Sequence, residues 1–300
     1  MVEIKEIYNV HHHLNLTVLI ANYFYFTGLS AGSFILSTMA YGFGMPKYKP
    51  LGKIGVIMAV LLLGLAPLNL LVELEQPLRF YHLFLYLNLT SPITYGSFLL
   101  TTYPINCIIY GYFMFKGNMK MTKIFGLIGI PLALAVHGYT GFILALGKAR
   151  ILWNTALMPT LFLVSAMVSG IALMILVCFV LGRFVSEDGK TPKALIYNLV
   201  NILVIAILLD LALVGCDILV LLTSHEDALM AGKMILIGSF APVFLYGEII
   251  MGAIVPLVLL VLPSTKKNLY WIAVSCLLVM LGIFCMRYTM VVGGQCLPQS

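Results

Sequence analysis

Eight apolar stretches, each about as long as a bilayer-crossing helix, fill most of this 300-residue chain, and charged side chains fall mainly between them. They run over residues 16–43, 53–72, 95–115, 123–146, 156–183, 195–222, 234–262 and 269–292. A helix rises about 1.5 Å per residue, so about 20 residues cross a hydrocarbon core about 30 Å thick. Membrane-spanning barrel strands are short and alternate in hydrophobicity, whereas these stretches are continuously apolar, which selects helices. With 62% hydrophobic residues, 9% charged residues and a mean hydropathy of +1.06, the chain has too little polar surface to face water as a soluble domain. The fold class expected is an all-α polytopic membrane protein, one integral domain over residues 1–300 with short loops, in contact with the lipid bilayer.

The first ten residues mix Lys5 with Glu3 and Glu6, and the apolar stretch that follows is too long for a removable signal and lacks a small-residue cleavage site. That stretch is expected to act as the insertion signal. Orientation follows from basic residues, which remain on the cytoplasmic side. Loops after stretches one, three, five and seven hold eleven: Lys47, Lys49, Lys53, Lys116, Lys120, Lys123, Arg183, Lys190, Lys193, Lys266 and Lys267. The other side holds six, namely Lys5, Arg79, Lys148, Arg150, Lys233 and Arg287. Both termini are therefore expected outside, in a cytoplasmic (inner) membrane. The net charge of +6 reflects this topology and gives no reason to expect nucleic acid as a partner.

Six cysteines, Cys107, Cys178, Cys216, Cys276, Cys285 and Cys296, are dispersed with no CxxC pair. Iron–sulfur clusters and zinc both want grouped thiolates, so no such centre is expected, although a disulfide through Cys296 stays open. A membrane haem needs two facing histidines, and of His11, His12, His13, His82, His137 and His225 only His137 lies deep in a stretch. The run His11–His13 reads as a solvated interfacial cluster. The expectation is a membrane subunit with no haem and no metal of its own.

Polar groups gather in a few places. The segment VELEQPLRF ends the second stretch with Glu73 and Glu75 at the membrane boundary, Pro77 breaks it, and Arg79 follows within ionic reach. As an interfacial cap these residues would merely pair and snorkel. The fourth stretch carries His137 and Tyr139 toward its outer end, followed by KARILWN at 148–154. The first stretch, running the opposite way, carries Asn22, Tyr23 and Tyr25 in its outer third, then the small-residue face Gly28, Ser30, Ala31 and Gly32. Small residues let helices approach closely. Three segments are thus expected to bring hydroxyl, amide, imidazole and carboxylate groups to one depth.

Asp210, Asp217 and Glu248 lie within the sixth and seventh stretches. Acids are expensive inside a membrane, so each is a candidate for a proton pathway, set against a structural account in which Asp210 pairs across helices and the others sit near water. An ion-coupled secondary transporter would use such acids too, although no repeat between the two halves is visible. A purely structural anchor would not need polar groups from three helices to meet.

GLSAG at 28–32, ELEQPLRF at 73–80, TSPITYGSF at 90–98, YTGFILALGKARILWNTALMPTLFLVSAMVSG at 139–170 and RYTMVVGGQ at 287–295 together resemble the NrfD/PsrC family of quinone-reactive membrane subunits from polysulfide-reductase-type complexes, along nearly the whole chain. The resemblance implies eight helices in two four-helix bundles and a quinone or quinol (menaquinone or ubiquinone) bound near the outer face. It further implies electron exchange with a ferredoxin-like iron–sulfur subunit, itself commonly joined to a molybdopterin catalytic subunit, and no haem. By the same resemblance Tyr139 contacts a quinone carbonyl and Glu75 stands near the pocket. Glu73 falls where many members have an acid before a turn, and Tyr23, with Asn22 adjacent, stands where a family histidine is found. Quinol oxidation releases two protons and two electrons, so such a site needs hydrogen-bond partners for two oxygens and a titratable relay to water. Tyr139, with His137 nearby in a different direction, would serve one oxygen and Glu73 or Glu75 the proton, with Arg79 opposing whichever acid it pairs with.

Overall fold

The computed structural model describes residues 16–74, 76–185 and 193–296, the side chains of 182–185 excepted. Among the described residues the chain is helical and contains no strand. Eight helices are long and apolar enough to cross a membrane: α1 (Val18–Tyr41), α2 (Pro46–Glu73), α3 (Pro92–Phe115), α4 (Met119–Ala145), α5 (Met158–Leu181), α6 (Lys193–Thr223), α7 (Pro242–Val261) and α8 (Leu269–Gly293). In hydrocarbon a helix satisfies its own backbone, which is why continuous apolar sequence becomes continuous helix. Polar residues mark the ends. The Thr17 hydroxyl accepts from the Leu19 amide, Asn118 from Met121 and Asn268 from Tyr270. Gly117, at φ +77°, turns the chain between α3 and α4 in a conformation that a side chain would strain.

The spans lie close to their expected ranges, with one correction. The seventh stretch, expected from residue 234, is divided: Glu226–Leu236 is a separate helix, and α7 begins only at Pro242. That short helix starts with Glu226 and Asp227, ends with Lys233 and buries Ala228, Ala231, Gly232 and Ile235 on one side. It is amphipathic, its end charges suit the helix dipole, and Gly238 and Pro242 separate it from the membrane span.

The first four spans pack together, with α1 against α2 and α4, and α3 against α4. The last four pack likewise, α5 against α6 and α8, and α7 against α8, while α1 joins the two groups through α5 and α8 and α4 also packs on α5. Small residues set these crossings. A Cβ on Gly170 would lie 2.5 Å from the Gly32 Cα, and one on Gly252 would lie 2.4 Å from the Gly282 Cα, so α1–α5 and α7–α8 meet backbone to backbone. Side-chain hydrogen bonds add to this: Ser30 donates to the Ala59 carbonyl at 3.0 Å, Ser37 to Gly52 at 2.6 Å, Asn106 to Phe125 at 3.1 Å and Tyr25 to Met280 at 3.1 Å.

Two stretches of backbone are wound wider than an α-helix. Pro242–Ile254 of α7 and Thr289–Gly293 of α8 are π-helical. Such winding is rare, usually a single turn, and recurs at functional sites. The loop between α4 and α5 folds over the second of these segments. Trp153 Nε1 donates to the Met290 carbonyl at 2.5 Å, and Arg150 Nη1 donates to Gln295 O at 2.9 Å. Gln295 in turn holds the start of the described residues, accepting from the Leu16 amide at 2.7 Å and donating to its carbonyl at 2.8 Å.

Candidate functional site

The eight spans alternate in direction, so the face on which α1 begins, termed the N-terminal face, also carries the ends of α2, α4, α6 and α8. Most candidate residues lie toward that face, in two separate groups.

The first group is aromatic. Tyr23 of α1 is buried, Tyr139 of α4 is partly buried, and their phenols lie within electrostatic reach of one another. Tyr139 owes its position to a glycine on α3: a Cβ on Gly96 would lie 2.3 Å from the Tyr139 hydroxyl and 2.2 Å from its ring. The segment TYGSF therefore opens the space into which the Tyr139 ring fits. Asn22, beside Tyr23, is partly buried.

The acids and the base expected beside them are arranged differently. Glu73, at the end of α2, closes the start of α1: its carboxylate accepts from the Thr17 amide at 2.6 Å and from the Thr17 hydroxyl at 2.5 Å. An anion at a helix N-terminus is favoured by the exposed amides and the helix dipole. Arg79 is exposed on the short turn Pro77–Arg79. Glu75 and the His11–His13 run lie outside the described residues.

His137 does not share the space of Tyr139. Two residues apart on one helix, the two side chains diverge by about 200°. His137 is 1% exposed and turns toward α1, α5 and α8, where a Cβ on Gly28 would lie 2.9 Å from its ring. Its Nε2 lies 2.7 Å from the Phe162 carbonyl. A carbonyl only accepts, so Nε2 carries the proton and Nδ1 is the bare nitrogen, which has no partner.

The second group forms around an arginine. Arg287, counted above among the basic residues of the outer side, is 1% exposed and enclosed within α8's packing. This corrects the count of basic residues on that side from six to five. The α8 helix continues past residue 287 through its π-helical end, so the side chain is enclosed by neighbouring helices. Its guanidinium carbon sits 3.7 Å from the centre of the Phe162 ring, a cation–π stack. One nitrogen, Nη2, lies 2.6 Å from Ser165 Oγ and 3.1 Å from Phe162 O, and converges with His137 Nε2, at 3.3 Å, on that same carbonyl. The other two, Nε and Nη1, have no hydrogen-bond partner.

Asp210 of α6 and Glu248 of α7 are 6% and 4% exposed, and both act electrostatically on Arg287. Both Glu248 oxygens and Asp210 Oδ1 lack hydrogen-bond partners. The two acids line one small cavity with Val168, Val214, Gly252 and Gly282, with room for about one water molecule. Asp217, two turns further along α6, is hydrogen-bonded by Thr155 and lines a pocket of about 150 Å³ at the N-terminal face with Lys148, Asn154, Ser224 and His225. The three acids expected in the membrane are therefore all buried, two of them in one cavity near Arg287, and that cation was not anticipated. Three acids among apolar helices imply a buried counter-charge, and Arg287, five residues inside the eighth stretch, was the available one. Among the described residues no group of three His, Cys, Asp or Glu side chains could hold a metal ion.

Eight spanning helices, with a phenol pair in one half and a buried arginine–carboxylate cluster in the other, define a multi-pass membrane protein whose polar chemistry is confined to a few interhelical sites. The model of the NrfD polysulphide reductase family matches residues 9–299, and the protein belongs to that family. It is 30% identical to a selenate reductase subunit of Mesobacillus selenatarsenatis, over 92% of this sequence and 73% of that one. It is 29% identical to the Hdr-like menaquinol oxidoreductase integral membrane subunit of Archaeoglobus fulgidus, over 92% and 70%. With a polysulfide reductase subunit of Wolinella succinogenes it shares 27% identity, over 92% and 93%. These relatives are subunits of reductase complexes, which supports a membrane-anchor role for this protein.

Proposed function

We propose that this protein is the quinone-reactive membrane subunit of a respiratory oxidoreductase complex. It exchanges electrons between a quinone pool and an iron–sulfur subunit docked on the N-terminal face, with a molybdopterin subunit as the catalytic partner. The observation that carries this reading is the meeting of Tyr23 and Tyr139 within reach of the N-terminal face, in a protein similar over most of its length to a menaquinol oxidoreductase membrane subunit. Menaquinone is accordingly the quinone we favour over ubiquinone.

Two phenols suit a quinone or quinol because each O–H can donate to a carbonyl and accept from a hydroxyl. Tyr139, kept in place by Gly96, is the principal contact in this reading, and Tyr23 with Asn22 serves the same region from α1. Protons released on quinol oxidation leave toward the N-terminal face, with Glu75 as the proposed acceptor. Glu73 is left to close α1, and Arg79 to neutralise the acidic turn. In this orientation the membrane is the cytoplasmic one, both termini are outside, and the partner subunits are extracytoplasmic.

The test uses the complex purified with its partners. Tyr139→Phe and Glu75→Gln are each expected to lower turnover with a quinol analogue while the catalytic subunit keeps its activity with an artificial dye. Normal quinol kinetics in both variants would place the quinone elsewhere.

A further inference from the structure

We propose that Asp210 and Glu248, beside Arg287, form a binding site for one exchangeable proton that is reached only from the N-terminal face, through Asp217 and the pocket at the α4–α5 loop. The inference rests on this cluster's own geometry and not on the quinone reading.

Charge counting comes first. Two carboxylates and one guanidinium leave one negative charge where ions are costly, and a single monovalent cation brings the site to neutrality. Arg287 already spends Nη2 on Ser165 and Phe162, and its ring stack on Phe162 fixes its plane. Nothing equivalent holds the acids. Both oxygens of Glu248 and Oδ1 of Asp210 are buried without a partner, in walls of a cavity with room for about one water. Unsatisfied buried oxygens are rare in native proteins and call for a proton, water or ion. With so little space and only two carboxylates, the site suits a proton, carried on a carboxylate or a water, better than a metal cation that needs about six oxygens.

The cavities run toward one side. Asp210, Val214, Asp217 and Leu221 recur at three- and four-residue intervals and so lie along one face of α6. The first two line the inner cavity and the last two line the 150 Å³ pocket at the membrane face. Asp210 and Asp217 stand about 10 Å apart along the axis, and Glu248 feels the charge of both. In the other direction Leu199, Val200, Leu203, Ile207, Leu260 and Cys276 belong to a continuous buried apolar core. The wide winding around Glu248 moves its carboxyl off the ordinary helical register. In the proposed exchange a hydronium ion in the pocket gives its proton to Asp217 and becomes water. About 10 Å is too far for a direct hop, so Asp217 passes its proton to an intervening water, which becomes hydronium and gives a proton to the Asp210–Glu248 pair, and release reverses these steps.

The titratable groups facing this site are Tyr25 from α1, His137 from α4, Asp210 and Asp217 from α6, Glu248 from α7, and Cys285 and Arg287 from α8, while α5 supplies Ser165 and the Phe162 ring. The experiment uses the native complex in sealed vesicles of each orientation, treated with the membrane-permeant carbodiimide DCCD, which modifies protonated buried carboxyls. Adducts are quantified on peptides by mass spectrometry. The proposal expects an adduct at Glu248 or Asp210 that falls severalfold when the solution at the N-terminal face is made alkaline and is unchanged when the opposite solution is. It also expects sodium to have no effect. Absence of an adduct at both acids, an adduct that follows the opposite solution, or protection by sodium would each overturn it, the last by showing a metal-cation site. Loss of quinol turnover in Tyr139→Phe leaves this labelling untouched, so the two readings fail separately.

Discussion

Arg287 and Ser165 meet at 2.6 Å between α8 and α5, in a place where both residues are fully buried. The contact ties the arginine to α5 and leaves its other two nitrogens without hydrogen-bond partners, with Asp210 and Glu248 in electrostatic reach. Removing the guanidinium alone leaves those acids uncompensated. Arg287→Ala is therefore expected to destabilise the protein by about 3–5 kcal/mol, the usual cost of leaving a buried charge uncompensated. Adding Asp210→Asn and Glu248→Gln should restore much of the loss. Thermal unfolding of the three forms in detergent checks this, and a triple variant no more stable than Arg287→Ala would show that the charges do not compensate one another.

Gly96 gives a way to move Tyr139 without altering it. A methyl group at residue 96 collides with the far end of the tyrosine, which can swing aside, so the fold should survive. Gly96→Ala is expected to reproduce the Tyr139→Phe phenotype, with quinol kcat/KM about fivefold to tenfold lower, equivalent to about 1 kcal/mol for one hydrogen bond. Its melting temperature should change little. Unaltered quinol kinetics in this variant would show that the position of Tyr139 is immaterial.

The α1–α5 crossing allows no such adjustment. A Cβ on Gly170 would meet the Gly32 Cα and carbonyl carbon, both backbone atoms, at 2.5 and 3.0 Å. Gly170→Ala should part the two halves of the protein and lower its melting temperature more than Trp153→Phe does. The latter removes a single donor from the Met290 carbonyl and is expected to cost about 1–3 kcal/mol. Thermal melts that rank the two in the reverse order would contradict this account of the crossing.

Much of this was legible in the sequence. The spans could be read because lipid demands unbroken apolarity, and the small residues of GLSAG mark the helix that is packed on most sides. Tyr23 and Tyr139 could be brought to one depth by counting from the ends of oppositely directed helices. That His137 points away from Tyr139 follows from helical spacing, but counting depth does not say which neighbouring helices it turns toward. Arg287 was missed for a related reason. Near the end of an apolar stretch an arginine can snorkel or turn inward, and only the neighbouring helices decide. The π-helical winding around Glu248 left no sign in the pattern, since hydrophobic periodicity is blurred where all sides are apolar. Glu73 ends α2, as the sequence suggests, but its partner Thr17 is 56 residues away in sequence.

Orientation decides which compartment the phenol pair and the carboxylate pocket serve. With Arg287 inside the membrane, the basic residues divide eleven against five, a stronger asymmetry than the sequence count of eleven against six. Asn88 and Lys120 are exposed on opposite faces, in the α2–α3 connection and at the start of α4. Single cysteines at these positions, in a background without the native cysteines, are expected to react with an impermeant thiol reagent from outside for Asn88→Cys and only after the membrane is opened for Lys120→Cys. The reverse pattern would turn the N-terminal face to the cytoplasm, moving there both the partner subunits and the side from which Asp217 takes its proton.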